Sequence, residues 1–148
     1  MLYPVGIVRS DLVSRFEAVS PLEKCRVLIV DDFAGWRRYI HTVLQAYPGF
    51  LVVGEAGDGP DAIRKSQDLL PDLVLLDIGL PEINGLEVAR RICRMLPETV
   101  ILFVSALESP TIMREALRLG PCTRGYIAKS NVCRDLVPAM NAVMKSRE

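Results

Sequence analysis

Five polar side chains sit where apolar runs stop. Asp31 and Asp32 follow VLIV, Asp77 follows LVLL, Ser105 closes ILFVS and Lys129 closes GYIAK. If those runs are central parallel strands, the five groups converge on one crevice beyond the carboxyl ends of the sheet. Three carboxylates in one place repel each other and raise each other's pKa unless a cation joins them. A small set of hard oxygen donors suits Mg²⁺, with Mn²⁺ as a substitute, because Mg²⁺ keeps several waters and favours a site completed by phosphate. A lysine and a hydroxyl facing that cation complete the equipment of phosphoryl transfer, which needs positioning and charge stabilisation more than covalent chemistry. Singly, each residue has a plainer explanation: an aspartate after a strand is commonly a helix cap or turn former, and a serine or lysine there a turn or solvated residue. Their joint occurrence at four strand ends sets that explanation aside.

The elements that must position these groups are legible as an alternation. Strands are expected at Arg26–Val30, Leu51–Glu55, Leu73–Leu76, Val100–Val104 and Tyr126–Ala128. Most are continuous apolar runs, the pattern of strands buried on both faces. Between them, apolar residues recur at helical spacing: Trp36, Ile40, Val43 and Leu44; Ala62, Ile63, Leu69 and Leu70; Leu86, Ala89, Ile92 and Cys93; Ile112, Ala116 and Leu117; Leu136, Met140 and Val143. Turn signals such as Pro48-Gly49, Asp58-Gly59-Pro60, Asn84-Gly85 and Gly120-Pro121 separate the elements. Right-handed crossovers then give a (βα)5 unit, a doubly wound α/β three-layer sandwich with a parallel sheet. The unit is expected over residues 25–148. Residues 1–24 form an extension in which Leu12, Phe16 and Val19 could line a short helix; a disordered tail is the alternative, and both stay open.

Composition narrows the function classes. The chain has 148 residues, half of them apolar, enough for one core. Lysine plus arginine equals aspartate plus glutamate at 18 each, so there is no basic excess for nucleic-acid phosphates. No apolar run approaches the roughly 20 residues needed to span a bilayer, and no signal peptide is read at the N-terminus. A cytoplasmic protein with no direct nucleic-acid or membrane contact is expected. The four cysteines, Cys25, Cys93, Cys122 and Cys133, make no CxxC pair and are expected to be reduced thiols.

The segments VLIVDD, LVLLDIGLPEINGLE, ILFVSA and GYIAKS resemble the successive motifs of response-regulator receiver domains (CheY-like), over about Cys25 to Lys145. The segments VVGEAGDGPDAI, PDLVLLDI and GLEVARRI are similar to the subfamily whose members carry a LuxR-type helix-turn-helix output domain, the NarL/LuxR type. The resemblance implies a flavodoxin-like sheet of order 2-1-3-4-5 and a Mg²⁺-dependent switch phosphorylated on Asp77. It implies Asp32, Asp77 and the backbone carbonyl of Gly79 as direct metal ligands, with Asp31 holding the ion mainly through water. Ser105 would hydrogen-bond the phosphoryl group, Lys129 would pair with it, and Tyr126 matches the aromatic switch position. Pro81 and Gly85 match the loop that shapes the site. The implied donor is a sensor histidine kinase or phosphotransfer protein, and the implied partner surface, also a homodimer surface, is made by the fourth helix, fifth strand and fifth helix.

Three departures stand out. Pro-Cys-Thr-Arg between Gly120 and Gly125 is about two residues longer than the usual spacing, Ser130 stands where many relatives have proline, so no cis-proline turn is expected, and Pro138 falls inside the last helical pattern. A haloacid-dehalogenase-like phosphatase is disfavoured because neither Asp77 nor Asp32 begins a DxD motif. Gly54, Gly57 and Gly59 make no phosphate-binding loop. His41, the single histidine, is read as a surface or packing residue rather than a catalytic one, so the phosphate must come from outside. The expectation is therefore a signalling switch and not an enzyme acting on a separate substrate. It is either a stand-alone receiver or the receiver half of a DNA-binding regulator, with no room for a helix-turn-helix after Lys145.

Overall fold

Leu73–Leu76, the central strand, is buried along its whole length. Leu73 and Leu75 join one apolar cluster, and Val74 and Leu76 join the other. A strand apolar on both faces demands helices on both faces, and the molecule supplies them. The computed structural model describes residues 24–145. The reading of an N-terminal extension lies, apart from Lys24, outside the described residues.

The elements run β1 (Cys25–Val30), α1 (Ala34–Leu44), β2 (Phe50–Ala56), α2 (Gly59–Leu69), β3 (Leu73–Leu76), α3 (Gly85–Met95), β4 (Val100–Ser105), α4 (Pro110–Leu117), β5 (Thr123–Ala128), a 3-10 turn (Lys129–Asn131) and α5 (Val132–Lys145). All sheet pairings are parallel, in the order β2-β1-β3-β4-β5. This is the expected flavodoxin-like (βα)5 sandwich. Ile40 and Leu44 of α1 pack with Leu136, Met140 and Val143 of α5 on one face. Ala62 of α2, Val88, Ala89 and Ile92 of α3, and Ala116 of α4 pack on the other. The strand order reverses at β1 and β3, so a crevice opens beyond their carboxyl ends.

Local chemistry starts the helices. Asp58, Asn84 and Ser109 each accept a backbone N–H three residues on, from Asp61, Glu87 and Ile112, at 2.8, 3.1 and 3.3 Å. Side-chain caps of this kind satisfy amide groups that the first turn leaves without partners. The cap position of α1 is Phe33, which makes no side-chain cap bond.

Two expectations need correction. The fifth strand begins at Thr123 rather than Tyr126. Its register with β4 shifts between Ile101↔Thr123 and Leu102↔Gly125, so Arg124 is the extra residue of a bulge. The long Gly120–Gly125 segment is thereby absorbed partly into the sheet, and Gly125 fits because a Cβ there would lie 2.8 Å from Leu102 Cδ1. Cys93 and Cys122 are not separate thiols but form a disulfide, with Cα atoms 5.8 Å apart, tying the end of α3 to the residue before β5. Sequence separation hid the pair, because only the β3–β4–β5 pairing brings those segments together. Cys25 and Cys133 lie outside this disulfide. Pro138 sits beyond the first turn of α5, yet the helix runs through to Lys145. No cis peptide bond occurs among the described residues, as the Lys129–Ser130 pair led us to expect.

Candidate functional site

Asp31 and Asp32 directly follow β1, and Asp77 directly follows β3, on adjacent strands. A carboxylate oxygen from each lies within 4.8 Å of those from the other two. Asp31 and Asp77 are buried, at 2% and 7% exposure, whereas Asp32 faces solvent. None of the three caps a helix. Phe33 holds the cap position of α1, and Asn84 caps α3. Asp31 Oδ1 does accept the Phe33 N–H at 2.9 Å, and Asp77 Oδ1 lies a long 3.4 Å from the Gly79 N–H. The capping explanation therefore leaves most of the carboxylate oxygens without an assigned task.

Lys129 enters from the end of β5. Its Nζ lies 2.5 Å from Asp31 Oδ2 and 3.6 Å from Asp77 Oδ2. At 2.5 Å the approach to Asp31 is a charge-assisted contact, so a cation in the cluster would share this buried oxygen with Lys129. Burial pushes the Asp31 carboxyl above its ordinary value of 3.8. Lys129 and the Phe33 N–H act against that rise, and the Asp77 charge adds to it. A desolvated carboxylate with a spare lone pair beside two others fits a small, hard cation.

Ser105, buried at the end of β4, accepts the Leu107 N–H at 3.3 Å. The Tyr126 hydroxyl donates to the Leu107 carbonyl at 2.5 Å, and its ring lies 6.1 Å from that of Phe103. Burial, and then the negative charges of Asp77 and Glu108, raise the Tyr126 pKa, while a hydrogen bond with Ser105 lowers it. Ser105 and Tyr126 are thus already in contact beside the acid cluster. Tyr126 also lines an open groove of 620 Å³ between α4, β5 and α5, with Met113, Ile127, Asp135 and Pro138.

The loop after β3 closes the site. Gly79 is exposed with open space around it. Gly85 is buried, and a Cβ there would fall 2.1 Å from the Asp77 carbonyl oxygen, so only glycine lets α3 start this close to Asp77. The Gly85 N–H donates to the Ile78 carbonyl at 2.7 Å. Pro81 is exposed on the same loop. Glu82 holds φ 67°, a left-handed backbone uncommon outside glycine and asparagine.

Two contacts of the site escaped sequence reasoning. Arg37 donates through Nη1 to the Asp31 carbonyl at 2.6 Å and through Nε to Glu55 at 3.0 Å, bracing the β1–α1 turn against β2. Trp36 lies with its ring centroid 4.9 Å from Lys129 Nζ. A helical arginine and tryptophan look in sequence like any surface and core pair, and only the site's geometry gives them another meaning. His41 is half-exposed, with Nδ1 3.7 Å from Glu55 Oε2 and away from the acid cluster.

The residue pattern of the response regulator receiver domain matches residues 27–141. The chain belongs to that family. Receiver domains bind Mg²⁺ at an acidic pocket, and this one presents three aspartates in such a pocket. The receiver domain is 35% identical over 120 residues to the chemotaxis protein CheY of Thermotoga maritima, covering 81% of this chain and 98% of that one. It is 43% identical over 82 residues to a protein-glutamate methylesterase/protein-glutamine glutaminase of Alkalilimnicola ehrlichii, covering 55% of this chain but only 21% of the relative. Its structure is similar to that of the signal receiver domain of the putative response regulator NarL from Mycobacterium tuberculosis, with a TM-score of 0.76, 34% identity, and coverage of 83% and 98%. The likeness to both CheY and NarL agrees with the resemblance read from the motifs. Among the described residues no helix is long and apolar enough to cross a membrane.

Proposed function

We propose that this receiver domain, residues 25–148, takes up a phosphoryl group on Asp77 and uses it to change a protein–protein surface. The observation that supports this most is the convergence of Asp31, Asp32 and Asp77 with Lys129 at the switch point of the sheet. Asp32, Asp77 and the Gly79 carbonyl would hold Mg²⁺ or Mn²⁺ directly, and Asp31 mainly through water. Bound there, the cation supplies charge neutralisation for the phosphoryl oxygens. Asp77 is the nucleophile: one carboxylate oxygen forms a bond to phosphorus as the bond from phosphorus to the donor's nitrogen breaks. Lys129 pairs with a phosphoryl oxygen, and the Ser105 hydroxyl donates to another. The donor would be a histidine phosphorylated on a sensor kinase or phosphotransfer protein, met in the cytoplasm. The chain acts as a switch, its chemistry ending on its own side chain rather than on a released product.

The output surface is the α4–β5–α5 face, where the groove beside Tyr126 could take a second copy or a target. No direct nucleic-acid contact by this chain is part of the reading. A second reading, the receiver half of a DNA-binding regulator, is favoured by the likeness to the NarL receiver.

Metal titration tests the site. Asp32→Ala should weaken Mg²⁺ binding about tenfold or more, and Asp77→Asn should weaken it as well, because each removes one negative ligand. Calorimetric or fluorescence titration reads this directly. Undiminished Mg²⁺ affinity in Asp32→Ala would overturn the assignment.

A further inference from the structure

Lys129 has a third neighbour besides the two aspartates. Its ammonium lies 4.9 Å from the centroid of Trp36, a half-buried residue in the first turn of α1. Trp36 packs on Tyr39 with ring centroids 5.4 Å apart, and the Tyr39 hydroxyl lies 2.9 Å from Cys133 Sγ in the first turn of α5. The two aromatic residues of α1 therefore bracket the segment that carries the lysine. Trp36 holds Lys129 at the start of the 3-10 turn, and Tyr39 holds Cys133 just past its end.

We infer that Trp36 is a positioning residue for phosphoryl transfer, keeping the Lys129 ammonium at the mouth of the acid cluster without itself taking up any of its N–H donors. The inference rests on the proposed role of Lys129. An indole face attracts a cation through its quadrupole and does not need a particular N–H direction. Three donors thus stay available for oxygens. A carboxylate partner does the opposite. Asp31 Oδ2, 2.5 Å away, competes for the same ammonium that must turn to a phosphoryl oxygen on Asp77. The face of Trp36 can hold the ammonium during that exchange, because a short movement of Nζ over a ring costs little compared with breaking an aligned hydrogen bond. Without the ring, the flexible four-carbon stem has more freedom, and part of the population points to solvent.

The test is the rate of Asp77-dependent mass gain with phosphoramidate and Mg²⁺, using the full chain. Variants are Trp36→Phe, Trp36→Leu, Lys129→Ala and the double variant Trp36→Leu/Lys129→Ala, with Asp77→Asn as the control. A partly buried cation–π contact predicts about a fivefold slower reaction in Trp36→Leu. Trp36→Phe should recover most of that loss, since a phenyl face keeps the attraction. In the Lys129→Ala background, Trp36→Leu should slow the reaction no further. A tryptophan that merely supports the fold would slow both backgrounds alike, and that result would overturn the inference, as would equal rates in wild type and Trp36→Leu. A second readout is independent of folding changes at position 36. The emission of Trp36, the only tryptophan, should shift when a beryllium fluoride phosphate analogue is added with Mg²⁺, beyond the shift with Mg²⁺ alone. That additional shift should vanish in Lys129→Ala, and its persistence there would overturn the inference. Mass gain in Asp77→Asn equal to wild type would instead reject the site reading itself, and this inference with it.

Discussion

At Asp31 two requirements conflict. The side chain is buried enough to disfavour its charge, yet the proposed site would need that charge to hold a cation. Burial, the largest influence, raises its pKa above 3.8 in the folded state, against the opposing pull of Lys129 and the Phe33 N–H. The folded metal-free domain therefore binds a proton at Asp31 more tightly than the unfolded chain does. This group's contribution to stability is fully present below its unfolded value and is lost as pH rises through the higher folded value. A bound cation removes the reason for the loss, because it favours the ionised form. Thermal midpoints measured against pH, with EDTA and with Mg²⁺, should show a Mg²⁺ increment that grows as pH rises through that window. An increment independent of pH across the carboxylate range would show that Mg²⁺ stabilises the fold without engaging this carboxylate.

The meeting of Asp31, Asp32, Asp77 and Lys129 was legible in sequence because a polar residue ending an apolar strand has one address in a doubly wound sheet. The partners of Trp36 and Arg37 were not legible, since Lys129 and Glu55 lie on other elements and no local pattern announces them. At the scale of elements the same division holds. LVLL can only be a strand buried on both sides, and it is. The start of β5 was missed by three residues because Thr123, Arg124 and Gly125 carry no apolar run, and their pairing with β4 is irregular. The disulfide was missed for the same kind of reason. Cys93 and Cys122 are 29 residues apart and meet only through tertiary structure. Closing a loop of that length predicts a stabilisation of about 2–4 kcal/mol over the reduced domain. Unfolding with and without a dithiol reductant should give a lower midpoint when reduced. Alkylation of the unfolded chain should label Cys25 and Cys133 without reductant and all four cysteines with it. Equal midpoints, or four labels without reductant, would contradict the bond.

For the whole molecule, the question is how an event at Asp77 reaches the α4–β5–α5 face. Phosphorylation adds about two negative charges and new acceptor oxygens at one point. In the proposed switch Ser105 would be the residue that responds, being buried at the end of β4 and hydrogen-bonded to Tyr126. Drawing Ser105 toward the phosphoryl group would take that bond away and open space beside Phe103. The Tyr126 ring could then repack, altering the groove that it lines with Met113 and Pro138. This is a local charge change biasing a two-state packing element. Beryllium fluoride with Mg²⁺ should change the Tyr126 environment, by NMR, or self-association, by sedimentation. Ser105→Ala should reduce that response while Asp77 still accepts phosphate. A full response in Ser105→Ala would mean the signal leaves by another path, with Lys129 and the 3-10 turn ahead of α5 the next to examine.

The central claim is that Asp77 is the phosphoacceptor, and intact-mass spectrometry after incubation with phosphoramidate and Mg²⁺ tests it most directly. The wild-type chain should gain one increment of about 80 Da, the mass of a single phosphoryl group, and should lose it on treatment with hydroxylamine, which cleaves acyl phosphates. Asp77→Asn should gain nothing, and EDTA should suppress the gain in the wild type. A full increment in Asp77→Asn, or one in the wild type that resists hydroxylamine, would place the phosphoryl group elsewhere and contradict the account.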